Sequence, residues 1–138
     1  MCIVNSPTTL HKIAMTISYP LVSKLASALC FTLFVCLLLA PGLIYWIFGL
    51  EGNEVSDLIA RRAAMMFMGL SAIIFLSRNA EPSQLRQNLC LGLAIMMAAL
   101  AAIGIFEFVR GAVGVGIWLA IATEIAFALA YFKLSKQT

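Results

Sequence analysis

The feature that most constrains this chain is a series of four apolar stretches, each long enough to cross a bilayer. A transmembrane helix needs about 20 mostly apolar residues. The stretches 25–48, 58–76, 89–106 and 112–132 approach or exceed this length. Because lipid offers no hydrogen-bond partners to a backbone, each stretch is predicted to be helical. We therefore predict an all-α membrane protein, a four-transmembrane-helix bundle with antiparallel up-down topology and short loops.

Composition favours the same class. Of the 138 residues, 63% are hydrophobic and 11% are charged, whereas soluble domains are about 45–50% apolar and about 25% charged. Residues 1–24 are predicted to form an N-terminal cytoplasmic tail or surface helix, residues 25–134 the membrane domain, and residues 135–138 a C-terminal tail. Pro41 is expected to kink the first span, Ser56 or Asp57 to cap the second, and Ser83 to cap the third.

Basic residues predict the orientation, because they are enriched in cytoplasmic loops. Six of the nine fall on the side of the two termini and three on the other side. The six are Lys12, Lys24, Arg78, Arg86, Lys133 and Lys136, and the three are Arg61, Arg62 and Arg110. We expect a multi-pass protein of the bacterial inner membrane with both termini cytoplasmic. A net charge of +3 fits contact with anionic lipid and is too small and scattered for nucleic acid.

Catalytic and cofactor-binding patterns are not found in the sequence. The four cysteines form no C-x-x-C pair and are expected to pack as small hydrophobic residues. Five methionines in the second and third spans are compatible with Cu(I), yet methionine commonly packs irregular cores, which is the preferred interpretation. The single histidine, His11, cannot supply paired haem ligands. We expect no metal, no cofactor and no enzymatic activity.

Glu124 is the one carboxylate placed deep in an apolar stretch. Ionisable residues inside a membrane are candidates for function, because an uncompensated charge there costs about 2.5–3.5 kcal/mol on insertion scales. The predicted span puts Glu124 about 18 Å from its outer end, against about 6–8 Å for the two arginines of the second span. We therefore expect a largely protonated carboxyl, either a proton- or cation-binding site or a structural hydrogen bond to Ser71 or to a carbonyl freed by Pro41.

Small residues predict which helix faces pack, because they allow close approach in lipid. In the fourth span they recur at Gly116, Ala120 and Ala128, in register with Glu124, and the bulky residues, Ile121 among them, are expected to face lipid. In the third span they recur at positions 94, 98 and 102.

A second candidate site lies at the outer end of the bundle, where Arg61, Arg62, Glu107 and Arg110 are expected at one level. Guanidinium groups bind phosphate and carboxylate well. Two interpretations remain open. The arginines bind a lipid phosphate or anionic substrate, or they pair with Glu107, Asp57 or Glu51 and close the bundle.

The segment "GLSAIIFLSRNAEPSQLRQNLCLGLA" carries a resemblance. Leu76, Arg78 and Asn79, then Ser83 and Arg86, follow a pattern similar to that of small uncharacterised four-helix bacterial inner-membrane proteins. The resemblance implies fold and location and brings no activity.

Three functions are consistent with these features, and the last of them is a lipid-binding module. The first is a non-enzymatic accessory or assembly subunit of a larger membrane complex, or a homo-oligomer, in contact with membrane lipids. The second is a small proton-coupled transporter in which Glu124 binds the proton and Arg61 and Arg62 form an outer gate.

Overall fold

The computed structural model describes residues 18–137, which form five α-helices and, within that range, no strand. The helices are α1 (Tyr19–Leu39), α2 (Pro41–Phe48), α3 (Glu54–Ser77), α4 (Gln84–Val109) and α5 (Ile117–Ser135). All except α2 are long and apolar enough to cross a membrane. The predicted all-α membrane bundle with four spanning helices is therefore confirmed.

The helix ends differ from the predicted spans because local capping decides them. Helix α1 begins at Tyr19, six residues before the predicted span, with Pro20 in its first turn, where a missing N–H costs nothing. The segment 19–24 thus belongs to the first helix; the rest of the predicted tail or surface helix, residues 1–17, lies outside the described residues. Helix α5 begins at Ile117, five residues later than predicted, and ends at Ser135.

Helix α3 begins at Glu54, earlier than the cap expected at Ser56 or Asp57. Asn53 is the N-cap, and its side chain accepts a hydrogen bond from the Ser56 backbone at 2.9 Å. The Ser56 hydroxyl accepts one in return from the Asn53 backbone at 2.7 Å, which completes a capping box. The predicted cap of α4 is confirmed, since the Ser83 hydroxyl accepts from the Arg86 backbone.

The predicted kink at Pro41 is a complete break. Helix α1 ends at Leu39, Ala40 leaves the helical region (φ −142°, ψ 61°), and Pro41 starts α2. Gly49, with a positive φ of 67°, ends α2 in the left-handed conformation that glycine adopts without strain. The first span is therefore two helical segments that change direction at Ala40.

The helices pack as two pairs. Helix α1 packs along α3, and α4 packs along α5, whereas contact between the pairs is mainly that of α1 with α5. We call the end where α1 and α4 begin and α3 and α5 end the terminal end, and the end formed by α2, the start of α3 and residues 110–116 the α2 end. The buried core draws on all four long helices through Tyr19, Val22, Ala26, Cys30, Ile74, Cys90, Leu93, Ala94, Tyr131 and Leu134.

Glycines close the α2 end. The Gly114 backbone donates a 2.6 Å hydrogen bond to the Phe48 carbonyl. A Cβ at Gly49 would lie 3.2 Å from the Gly114 Cα, and a Cβ at Gly116 would overlap the Ile47 carbonyl oxygen. The end of α2 and the segment before α5 therefore approach backbone to backbone, which requires residues without side chains.

Candidate functional site

Glu124 lies on the stripe of α5 that faces its neighbour α4. Ile121 and Tyr131 on this stripe are buried, and Glu124 and Ala128 between them are half-buried. A Cβ at Gly104 of α4 would lie 3.0 Å from a side-chain carbon of Ile121. This contact sets the antiparallel register of the pair and puts Glu124 level with Ala101, which is itself buried.

Within residues 18–137 no hydrogen bond or ion pair is found for the Glu124 carboxyl. The partner expected at Ser71 is wrong, because Ser71 is already engaged with Ser27 of α1. The Ser71 hydroxyl donates to the Ser27 carbonyl at 2.9 Å, and the Ser27 hydroxyl lies 3.1 Å from both oxygens of Ser71. A hydroxyl committed to the α1–α3 pair cannot serve a carboxyl on α5.

The later start of α5 also changes the depth of Glu124. At about 1.5 Å per residue, Glu124 lies about 10 Å from the start of its helix rather than 18 Å. Arg61 and Arg62 lie about 10–12 Å from the start of α3 by the same rise. Measured from the helix starts, the two positions therefore differ little, and no ion pair joins Glu124 to either arginine within the described residues. The groups stay apart because α3 packs on α1, α5 packs on α4, and both arginines are exposed.

The predicted small-residue faces are only partly right. On α4, Ala94 is buried but Ala98 and Ala102 are exposed. The buried stripe of α4 follows a seven-residue repeat instead, through Cys90, Ala94, Met97, Ala101 and Gly104. On α5, Ile121 was expected to face lipid and is 1% exposed. A large residue on one helix fills the space left by a glycine on the other, which a pattern of small residues on one helix cannot reveal.

The second candidate site divides in two. Glu107 and Arg110 come together, with a guanidinium nitrogen 3.4 Å from a carboxylate oxygen. This is a pair within one helical turn, and Arg110 also lies over the Phe106 ring. Arg61 and Arg62 form no ion pair with any acid of the described part of the chain, so the closing ion pair expected with Glu107, Asp57 or Glu51 is not formed. The two arginines remain exposed cations on α3.

An open groove runs between the two helix pairs. It lies between α3 and α4 and has a volume of about 550 Å³. Its lining is entirely apolar and consists of Ala63, Met66, Phe67, Gly69, Leu70, Ile73, Met96 and Leu100. Sequence reasoning missed this groove, because each of the two helices is amphipathic only weakly and the gap depends on how the pairs are arranged.

The terminal end holds a buried polar cluster that sequence reasoning also missed. Tyr131 and Ser23 are 0% and 1% exposed, their hydroxyls lie close to each other, and neither has a well-formed hydrogen bond among the described residues. Nearby, the Tyr19 hydroxyl donates to Ser77 at 3.3 Å, and the Arg86 guanidinium lies 5.0 Å above the Tyr19 ring. Tyr19 and Tyr131 lie near the ends of apolar stretches, and this position is the sequence feature that could have indicated the cluster.

No group of three or more His, Cys, Asp or Glu side chains is positioned to hold a metal ion within the described residues. Cys30 and Cys90 are buried in the core and Cys36 is half-buried, all three as thiols. Met65, Met66 and Met68 are exposed along α3 and share no site with a second ligand type. Cys30, Cys90 and Met97 are buried and act as packing groups, whereas the exposed methionines of α3 do not pack in the core of this chain.

Comparison of the chain with protein-family models, with curated proteins and with solved structures finds no match. The function must therefore be argued from the residues themselves.

Proposed function

We propose that the protein is a non-enzymatic subunit of a larger assembly in the bacterial inner membrane, and that a transmembrane helix of its partner occupies the α3–α4 groove. The observation that carries this proposal is the groove itself, about 550 Å³ of apolar space between two helix pairs. A groove of this size at mid-membrane must be filled by apolar atoms from outside the chain, because water is not stable there.

The lining favours a helix over a lipid tail as the occupant. The small side chains of Ala63 and Gly69 protrude little from α3 into the groove. Small residues permit the close backbone approach that holds helices together in lipid. Met66 and Met96 are unbranched and adapt to the shape of a neighbour. The groove contains no charged side chain, so the matching partner face is apolar.

Site-specific photo-crosslinking in cells tests this proposal. We expect a photoreactive phenylalanine analogue at Met66 or Leu100 to crosslink to one defined membrane protein. The matched control is Leu119, which is 71% exposed on α5 and lies outside the groove. Crosslinks to a second copy of this chain would identify a homo-oligomer as the assembly. Crosslinks only to lipid, or equal protein crosslinking from Leu119, would contradict the proposal.

A second candidate function rests on a different observation, the half-buried and unpaired carboxyl of Glu124. A membrane carboxyl without a partner is suited to bind and release a proton or a cation. In this function the protein is a small proton-coupled transporter, and the exposed pair Arg61 and Arg62 acts on anionic substrates at the α2 end.

Glu124→Gln separates the two functions. A transporter loses proton-coupled flux in this variant while keeping its fold, whereas a subunit keeps its partner crosslink from Met66 unchanged. Carbodiimide labelling of the purified protein, read by intact mass with Glu124→Gln as the control, checks the site directly. Labelling that persists near neutral pH supports a protonated carboxyl, and the absence of labelling counts against the transporter.

The proposed orientation places the terminal end in the cytoplasm. Among described residues the terminal end carries Lys24, Arg78, Arg86, Lys133 and Lys136, and cytoplasmic loops are rich in such residues. We expect Glu51→Cys, but not Lys136→Cys, to react with an impermeant maleimide on intact spheroplasts, each in a background without the native cysteines. The reverse labelling pattern would reverse the orientation.

A further inference from the structure

A second groove lies on the lipid-facing side of the α1–α3 pair, and it differs from the α3–α4 groove in carrying charge. Its volume is about 410 Å³, within the range of about 300–1,000 Å³ typical of ligand pockets. The lining residues are Lys24, Ser27, Ala28, Phe31, Met68, Ser71, Ala72 and Phe75. Of these, Lys24 and Phe75 lie nearest the terminal end.

The floor of the groove is made apolar by the serine pair. The hydroxyls of Ser27 and Ser71 form hydrogen bonds with each other and with the backbone carbonyl of the opposite serine. A polar group that is already hydrogen-bonded does not require water, so the floor accepts hydrocarbon. Ala28 and Ala72 keep it low, and Phe31 forms part of the wall.

Two cations flank the end of the groove nearest the terminal end. Lys24 is exposed and lines the groove itself, and the Arg78 guanidinium lies 3.8 Å from the centre of the Phe75 ring. Neither forms an ion pair with an acid of the described residues. Arg78 donates one hydrogen bond to the Phe75 carbonyl, which leaves further N–H donors on its guanidinium. Both side chains are long enough to reach the headgroup level from within a span.

We propose that this groove binds one anionic phospholipid, with its phosphate held by Lys24 and Arg78 and one acyl chain lying along the serine-paired floor. The charge pattern selects the occupant. A partner helix would need acidic residues at the headgroup level, whereas an anionic lipid carries the complementary charge and an apolar tail on one molecule. The proposal uses a different groove from the proposed subunit function and is independent of it.

Native mass spectrometry of the full chain in mild detergent tests the proposal with phosphatidylglycerol and phosphatidylcholine of identical acyl chains. We expect phosphatidylglycerol to be retained more strongly. Because a basic residue near the membrane surface contributes about fivefold to anionic-lipid affinity, Lys24→Gln with Arg78→Gln lowers phosphatidylglycerol affinity about 25-fold. The matched control is Arg61→Gln with Arg62→Gln, which removes two exposed cations from the other end and leaves affinity within about twofold.

A second variant tests the acyl chain separately from the charge. Ala72→Leu fills the floor and leaves both cations in place, so phosphatidylglycerol retention falls, whereas Ala102→Leu, at an exposed alanine of α4, does not change it. Soluble glycerol phosphate does not bind measurably, since it lacks the tail. Equal retention of the two lipids, an equal loss in the two double-charge variants, or full retention in Ala72→Leu would overturn the proposal.

Discussion

The two helix pairs differ in whether their polar side chains form hydrogen bonds across the helix interface. In the α1–α3 pair, Ser27 and Ser71 bond each other across the interface and Tyr19 donates to Ser77. In the α4–α5 pair, Gly104 packs against Ile121, and neither the Glu124 carboxyl nor the Tyr131 hydroxyl has a well-formed hydrogen bond to a partner among the described residues. One pair is held by matched polar groups, and the other by matched shapes.

This difference indicates where function is to be sought. A polar group whose partner is on the neighbouring helix stabilises that neighbour and is not available to a ligand. The half-buried carboxyl of Glu124, with no partner in the described chain, stabilises no neighbouring helix by a hydrogen bond. Substitutions in each pair test whether the two pairs depend on these separate kinds of contact.

The largest effect is expected from Gly104→Leu. The added side chain overlaps Ile121, and overpacking of a close contact costs about 1–3 kcal/mol in the free energy of unfolding. Unfolding in mixed micelles, followed by circular dichroism as denaturing detergent is added, measures this loss. Gly92→Leu on the same helix is the control, because a Cβ at Gly92 meets nothing within 4 Å. Equal stability of the two variants would show that shape does not hold the α4–α5 pair.

A double-mutant cycle on Ser27→Ala and Ser71→Ala is expected to give the next largest effect. Interhelical hydrogen bonds in membranes average about 0.6 kcal/mol and reach about 1.7 kcal/mol, and this reciprocal pair belongs in the upper part of that range. The cycle of Ser27→Ala with Thr123→Ala is the control, since the Thr123 hydroxyl bonds its own helix. A coupling energy near zero for the serine pair would remove the distinction between the two pairs.

Glu124→Leu is expected to leave the free energy of unfolding unchanged or to raise it. Replacing an unpaired polar group by an apolar one of similar size removes a desolvation cost without breaking a hydrogen bond. The same micelle titration measures it, with Glu124→Gln beside it to separate charge from polarity. A loss of more than about 1 kcal/mol would reveal a partner for the carboxyl and make it a structural group.

The smallest effect is expected from Tyr131→Phe. Its buried hydroxyl lies beside Ser23 without a well-formed hydrogen bond, so its removal leaves the free energy of unfolding nearly unchanged. Tyr19→Phe, which loses the bond to Ser77, serves as the comparison and is expected to cost more. The opposite order would show that the Tyr131 hydroxyl is the better satisfied of the two.

Much of the fold is predictable because membrane spans are encoded locally. Four apolar stretches, a disturbance of the first span at Pro41 and the cap at Ser83 follow from length, a missing N–H and a side-chain oxygen, although the disturbance is a break where a kink was predicted. The helix ends are less accessible, since the choice of Asn53 over Ser56 as cap depends on one reciprocal hydrogen bond. The pairing of helices is less predictable still. The hydrogen bond between Ser71 and Ser27 and the contact between Ile121 and Gly104 each depend on two helices at once.

The features of the candidate site likewise differ in whether one helix or two helices determine them. The position of Glu124 in a span is visible in the sequence, and so is the Glu107–Arg110 spacing of one helical turn. The separation of Arg61 and Arg62 from Glu107 depends on which helices are neighbours. The α3–α4 groove is a gap between two pairs, and no single helix encodes it.

The glycine contact at the α2 end has a consequence for the order of assembly. Everything that joins α1 to α3 lies within residues 19–77, so this hairpin is complete before α4 and α5 have been synthesised. The hydrogen bond between Phe48 and Gly114 needs both hairpins, because it joins the end of α2 to the segment leading into α5. It can form only after residue 114, which follows α4, has been synthesised and brought to the end of α2. Until then the Phe48 carbonyl lacks this partner, so the hydrogen bond distinguishes a half-made bundle from a finished one.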